Sequence, residues 1–411
     1  QAAGGPKGAG MTFDVESVRS QYPALSDGFA YLDGAAGTQL PHAVIDAIAD
    51  AYRAGIGNLG GAFPASHRSE AIEAGCRQAL ADLVGGRPDG VLLGPNMTTL
   101  TYRLSHALAA TWRSGDEVVV SELDHDANVR PWVQAARRAG ATVRWARVDP
   151  ATGELPAEQY DGLLSDRTRL VAVTAASNAL GTRPDVPAIT ARAHAAGALT
   201  YVDGVHYTPH GPVDVAALGA DFYATSAYKW SGPHVGAVIA DPDLLDTLRP
   251  DKLASSPDEV PHRFETGTAP FADLAGVTAA VDHLAGLAPA PTGSRRERLL
   301  ASMGAVADHE HALFTVLLDG LESIPGVTGY GRAARRTATA FFTVAGHTPR
   351  TVAEQLARAR VNVWNGHNYA WELTRVLGIR DSGSAVRVSL VHYNNRAEVD
   401  RFLHAVAALA G

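Results

Sequence analysis

Cysteine is nearly absent: the 411 residues hold one, Cys76. No disulfide within the chain can form, and a reducing, cytoplasmic setting is expected. Long apolar runs are missing as well. No stretch approaches the roughly 18–20 residues that cross a bilayer, and no signal-peptide pattern opens the chain, so no membrane partner is expected. Positive charge is not in excess either. A formal charge of −8 argues against nucleic acid, whose phosphates are held by clustered Lys and Arg. What remains is ordinary for a soluble globular protein, with 46% hydrophobic and 19% charged residues.

The length suggests two domains, or one large domain with a smaller one appended. The first ten residues, "QAAGGPKGAG", are small and precede Met11; they read as a cloning remnant or as a linker from a longer polypeptide. From about residue 90 to 240, apolar runs alternate with helical patterns: "GVLLG", "DEVVVSEL", "ATVRWARV", "RLVAVTAA", "ALTYVDGV", "DFYATSA" and "GAVIAD". Such alternation predicts an α/β domain with a mostly parallel sheet and helices on both faces. "LAGLAPAPTGSRRE" (284–297) is the candidate hinge, followed by a long helix (about 295–322) and a smaller α+β domain. The expected division is a tail over 1–10, a large domain over 11–285 and a small domain over 286–411. Residues 11–30 are expected to pack with the small domain.

In open α/β sheets ligands bind beyond the carboxyl ends of the strands, and the residues at those ends are unusually polar here. "SELDHDAN" offers His125, "TAASNALGT" offers Asn178, "YVDGVHY" offers Asp203 and His206, and "SAYKW" offers Ser226 and Lys229. A carboxylate ending one buried strand and a lysine ending the next suit pyridoxal phosphate. That cofactor needs a lysine for its Schiff base and an acid to keep its ring nitrogen protonated. "NMTTL" (96–100), opening a helix, supplies hydroxyls and free N–H groups for its phosphate.

With these residues in order, the chain resembles the cysteine desulfurase branch of the class V aminotransferases, closest in type to C–S lyases lacking a loop cysteine. The likeness runs from "YLDGAAGTQLP" (31–41) to "VRVSLVHYNNRAEVDRF" (386–402). It implies a fold-type-I pyridoxal phosphate enzyme with a seven-stranded, mostly parallel sheet domain and a small α+β domain. It further implies that Lys229 carries the cofactor, Asp203 pairs with its ring nitrogen and His125 stacks on its ring. Thr98, Thr99 and Ser226 would hold the phosphate, with Tyr228 where the family often has histidine. Asn178 and His206 would lie near the phenolic oxygen, His206 where many members carry glutamine. Arg387 would take the substrate carboxylate, as a guanidinium fork suits, with Ala35, Asn178 and His367 nearby. Thr268 would reach the phosphate of a neighbouring subunit, which makes a homodimer the expected assembly and a small amino acid the expected partner. No metal site is expected.

Taken singly, these residues also have plain structural readings: Asp203 as a turn cap, His125 as a capping or buried histidine, Thr98 and Thr99 as an N-cap, Arg387 in an ion pair. The pattern departs from the family at one point. In "VWNGHNYAWEL" (363–373), Tyr369 falls where cysteine desulfurases place the cysteine that accepts sulfur. Cys76 is no substitute, because Ile72, Cys76, Leu80 and Leu83 share one helical face, as core residues do. Cα deprotonation and β-elimination remain, giving a thiol or persulfide with pyruvate and ammonia. The substrate class is then cysteine, cystine or an S-substituted or persulfidated cysteine. Similar domains occur in biosynthetic assembly lines, which would make the substrate carrier-tethered. An aminotransferase or epimerase would share every cofactor residue.

Overall fold

In the computed structural model, which describes residues 13–288 and 292–411, the chain builds three sheets. The expected tail over 1–10 and the Pro/Ala centre of the candidate hinge lie outside the described residues. In chain order the strands are β1 (Ala30–Tyr31), β2 (Val91–Gly94), β3 (Glu117–Ser121), β4 (Thr142–Ala146), β5 (Thr168–Thr174), β6 (Leu199–Asp203) and β7 (Phe222–Ser226). They continue as β8 (Gly236–Ala240), β9 (Val327–Tyr330), β10 (Thr339–Val344), β11 (Val361–Asn362), β12 (Trp364–Gly366) and β13 (Ala385–Ser389).

The large sheet has seven strands in the order β2-β8-β7-β6-β5-β3-β4. All run parallel except β8, which is antiparallel to both neighbours. Its central strands are buried apart from Arg169 and Leu199 near their starts, as β-branched and apolar runs covered by helices on two faces must be. One covering core contains Val171, Val173, Val202, Tyr223 and Leu80; the other contains Val118, Leu170, Tyr201 and Phe222. Neighbouring residues of one strand fall in opposite cores, as the two-residue period requires.

The second sheet is antiparallel, β12-β13-β10-β9, and forms the centre of a small α+β body. The apolar stretch "VNVW" reads as one strand, yet it is two in different sheets: β11 pairs with β1, while β12 pairs with β13. The 29-residue helix Arg295–Ser323 serves both bodies. Leu299, Met303 and Val306 belong to the large core, whereas Leu313, Phe314, Leu317 and Leu321 belong to the small one. The N-terminal segment bridges likewise, with Tyr22 in the large core, where its ring meets Tyr393, and Ala30 in the small one. The carboxyl ends of β3, β5, β6 and β7 therefore face the seam where β10, β13 and the 30s segment arrive.

Candidate active site

Lys229 follows β7 in a short 3-10 turn and reaches the seam, where its Nζ donates to Ala35 O at 2.5 Å and lies 4.8 Å from the Tyr228 ring centroid. Burial and the nearby Arg387 guanidinium pull its pKa from the usual lysine value down to about 7, while Asp203 and Asp33 oppose the shift. An exposed lysine would stay charged; this one holds its proton weakly at neutral pH.

Asp203 ends β6 and accepts from Val205 N at 2.9 Å, so it does cap its turn. Burial raises its carboxyl to about 6. His125 also caps, its Nδ1 accepting from Ala127 N at 3.0 Å, which leaves Nε2 free of that role. Burial first, then Lys229, Arg387 and His367, depress its pKa to about 3, so the ring is neutral. In both cases the structural role and a place at the cleft coexist.

The reading of Thr98 and Thr99 as the N-cap is corrected by Asn96, whose side chain accepts from Thr99 N at 2.9 Å and caps the helix Met97–Ala109. Ser226 Oγ accepts from Met97 N at 3.1 Å, tying β7 to this helix start. Gly236, paired with Ser226 across β7 and β8, lets the helix approach; a Cβ there would collide with the Asn96 and Met97 backbone. Thr98 is exposed at this helix start and Thr99 is half-buried.

Arg387, on β13, is 4% exposed. Its guanidinium donates to Asn178 O at 2.9 Å, its Nε has no partner, and no carboxylate lies within salt-bridge distance among the described residues. A structural ion pair is thereby excluded for it. Burial lowers its pKa to about 10. Asn178 in turn donates from Nδ2 to Asn368 O at 2.8 Å, leaving its buried Oδ1 unpaired. His206 Nε2 lies 3.1 Å from both Thr337 Oγ1 and Thr339 Oγ1.

The loop from Gly366 to Ala370 leans on this cluster. Tyr369 O accepts from Asp126 N at 2.8 Å, and the Tyr369 ring stacks on His125 with centroids 5.2 Å apart. Its side chain is 65% exposed, with a left-handed φ of 58°. His367 is half-buried and accepts from Tyr369 N through Nδ1 at 2.9 Å. Arg130 and Arg375 fasten the following helix Trp371–Val376, pairing with Asp126 and Glu372, and with Glu372 and Glu122. Thr268 stands apart, exposed, and the helix Phe271–Ala285 separates it from the candidate hinge.

Three residues at the cleft were not singled out from the sequence. Asp124 is buried next to His125, held by Ser121 and by Asn128 Nδ2 at 2.7 Å; burial raises its carboxyl to about 8. Asp33 has a buried, unpaired Oδ1 and a raised pKa through burial. Ser389 Oγ holds Ala35 in place by accepting from Ala35 N at 2.7 Å. All three lie inside the stretches that carry the family resemblance, and their neighbours Ala35, His125 and Arg387 drew the attention there.

The sequence profile described as Aminotransferase class-V matches residues 30–402. An uncharacterized protein of Mycobacterium tuberculosis (strain CDC 1551 / Oshkosh) is 38% identical over 401 residues, covering 97% of this chain and 100% of that protein. A cysteine desulfurase of Klebsiella pneumoniae subsp. pneumoniae is 33% identical over 421 residues, covering 96% and 97%. The apo structure of a cysteine desulfurase from Thermococcus onnurineus NA1 superposes with a TM-score of 0.87 at 26% identity, covering 96% and 98%. The chain belongs to the class V aminotransferase family, with the cysteine desulfurase-like fold, and its cofactor is pyridoxal 5'-phosphate. The residues present suit that group: a lysine with a neutral-range pKa, a buried carboxylate beside it, an unpaired Asn178 Oδ1 and a helix N-terminus pressed against Ser226.

Proposed function

We propose that this chain is a pyridoxal phosphate-dependent carbon–sulfur lyase. It eliminates the sulfur of cysteine, cystine or an S-substituted or persulfidated cysteine, giving a thiol or persulfide with pyruvate and ammonia. One observation carries the reading. The single cysteine, Cys76, is 0% exposed inside the helix Pro64–Val84, and burial pushes its thiol up to about 12, so it cannot accept sulfur at the cleft.

When bound, the cofactor supplies an electron sink that makes the Cα proton acidic. Lys229 anchors it, and Lys229 Nζ, with a pKa near 7, takes the Cα proton. Asp203 would keep the cofactor's ring nitrogen protonated, and the neutral His125 ring would stack on it. Thr98, Thr99 and Ser226 hold the phosphate, with Tyr228 beside it; Asn178 and His206 serve the phenolic oxygen. Arg387, free of any carboxylate of its own, binds the substrate carboxylate, with Ala35, Asn178 and His367 around the amino acid. As the Cβ–S bond breaks, its electron pair leaves on sulfur, and Tyr369 or His367 protonates or orients that thiolate. The remaining fragment hydrolyses to pyruvate and ammonia.

The active unit is a homodimer in which Thr268 reaches the neighbouring phosphate; a stable, active monomer in sedimentation contradicts this. Work in the cytoplasm and on a carrier-tethered substrate within a biosynthetic assembly line both suit this chemistry. The deciding experiment incubates the cofactor-loaded protein with cysteine, cystine and S-substituted cysteines while pyruvate, alanine and sulfide are assayed together. Pyruvate in step with released sulfur is expected. Alanine with enzyme-bound persulfide overturns the lyase; transferred amine or racemised substrate points to the aminotransferase or epimerase instead.

A further inference from the structure

The turn after β6 and the strand β10 meet at His206, and the meeting has a hydrogen-bond logic of its own. Thr339 is fully buried, and its hydroxyl has one partner within reach, His206 Nε2 at 3.1 Å. Thr337 has two: the same nitrogen at 3.1 Å and Gly181 O, to which it donates at 3.4 Å. A buried hydroxyl left without an acceptor costs on the order of 1–3 kcal/mol, whereas His206 Nδ1 is not among the buried polar atoms that lack a partner, so the arrangement that gives both hydroxyl protons an acceptor prevails. The Thr339 hydroxyl then donates to Nε2, Thr337 donates to Gly181 O, and Nε2 is the lone-pair nitrogen. The ring proton must sit on Nδ1.

We propose that Thr339 is a positioning residue that fixes His206 in the Nδ1–H tautomer, so that His206 is a hydrogen-bond donor at the cleft. The inference rests on the reading of the cleft as a cofactor site, and it adds a cause. Glutamine in this place brings its own N–H; histidine offers a donor at a chosen atom only when its other nitrogen is occupied. Here the occupying hydroxyl, that of Thr339, comes from β10 of the small sheet, so the donor is correct only when the small body is seated against the large one. The groups facing His206 from the surrounding elements are His210 in its own turn, Lys229 after β7 and Arg387 on β13. Burial and these neighbours hold its pKa well below the ordinary histidine value, so the tautomer and not the charge is the variable.

The test reads the tautomer directly, by nitrogen-15 NMR of histidine-labelled protein with and without pyridoxal phosphate, assigning His206 by His206→Gln. The wild type should carry its proton on Nδ1 in both forms. Thr339→Val removes the hydroxyl at constant shape and should move the proton to Nε2. It should also shift the pH midpoint of the bound cofactor's visible band by about one unit, the scale of one lost hydrogen bond. Thr339→Ser should restore both properties, and Thr339→Val should change nothing further in a His206→Gln background. An Nε2–H wild type overturns the proposal, as does a Thr339→Val protein with wild-type tautomer and midpoint. The wild-type spectrum decides even if the valine variant does not fold. Loss of the lyase reading leaves the tautomer measurement untouched.

Discussion

Two arginines of this chain are buried to the same degree and are solved in opposite ways. Arg77, 6% exposed, donates to Val91 O and to Glu73 and Glu265, at 2.8 Å to each carboxylate from its NH2 group. Those carboxylates outweigh the desolvation that would lower its pKa, and the net shift is upward. Arg387, 4% exposed, has one carbonyl, an unpaired Nε and a pKa lowered to about 10. The first guanidinium is a completed knot that fastens a helix to β2 and the 265 turn. The second has no carboxylate partner among the described residues. Burial therefore does not separate scaffold from site here; the completeness of the partner set does.

The comparison can be broken at its strongest point first. Lys229→Ala should remove the visible band formed with pyridoxal phosphate and lower pyruvate formation by about 10⁴-fold, the upper range for a lost proton-transfer group. Absorbance and a coupled pyruvate assay read both; a coloured, active alanine variant would place the chemistry elsewhere.

The two arginines should then part company. Arg77→Ala strands the buried Glu73 and the half-buried Glu265 and should cost about 3–5 kcal/mol in urea unfolding with KM unchanged. Arg387→Ala should leave the unfolding midpoint near wild type, because it removes a charge that has no ionic partner. Its KM should rise about 10²-fold through loss of a charge-assisted contact worth about 2–3 kcal/mol. If the two variants behave alike, partner completeness is the wrong criterion.

Tyr369→Phe should slow pyruvate formation by about 10²-fold, and less for substrates whose leaving thiol is more acidic. Equal rates on every substrate would make Tyr369 packing over His125. The smallest effect belongs to Asp124, whose carboxyl is raised to about 8 by burial. A carboxyl raised on folding keeps a proton that the unfolded chain has released, so stability falls as pH rises from about 4 to about 8. Asp124→Asn does not titrate, and its Tm should vary less between pH 5 and pH 8 by about 2–4 °C in calorimetry.

Much of this was legible beforehand, for stated reasons. The seven strands of the large sheet are short apolar runs separated by amphipathic helices, and parallel sheets covered on both faces produce that pattern. Lys229 and Asp203 stood out because they close buried apolar runs, whereas Arg387, in the middle of β13, stood out only through the family resemblance. Other features were not readable. β9 is a glycine-containing edge strand with exposed residues, which carries almost no apolar signal. The division of "VNVW" between two sheets follows from its neighbours, 331 residues apart in the case of β1 and β11. Asp33 acquires meaning only when β13 and the 30s segment meet, and Thr339 only through the hydroxyl-to-ring distance.

The helix Arg295–Ser323, about 44 Å long at 1.5 Å per residue, works as a shared beam. Its early turns roof the large core and its late turns floor the small one. Neither body can melt without stripping apolar cover from the other, so heating should give one cooperative transition despite two sheets. For the same reason, a chain cut before residue 295 would yield a large fragment with an open groove where Leu299, Met303 and Val306 had lain. Such a fragment would aggregate, and the two halves would have to be made together to be made at all.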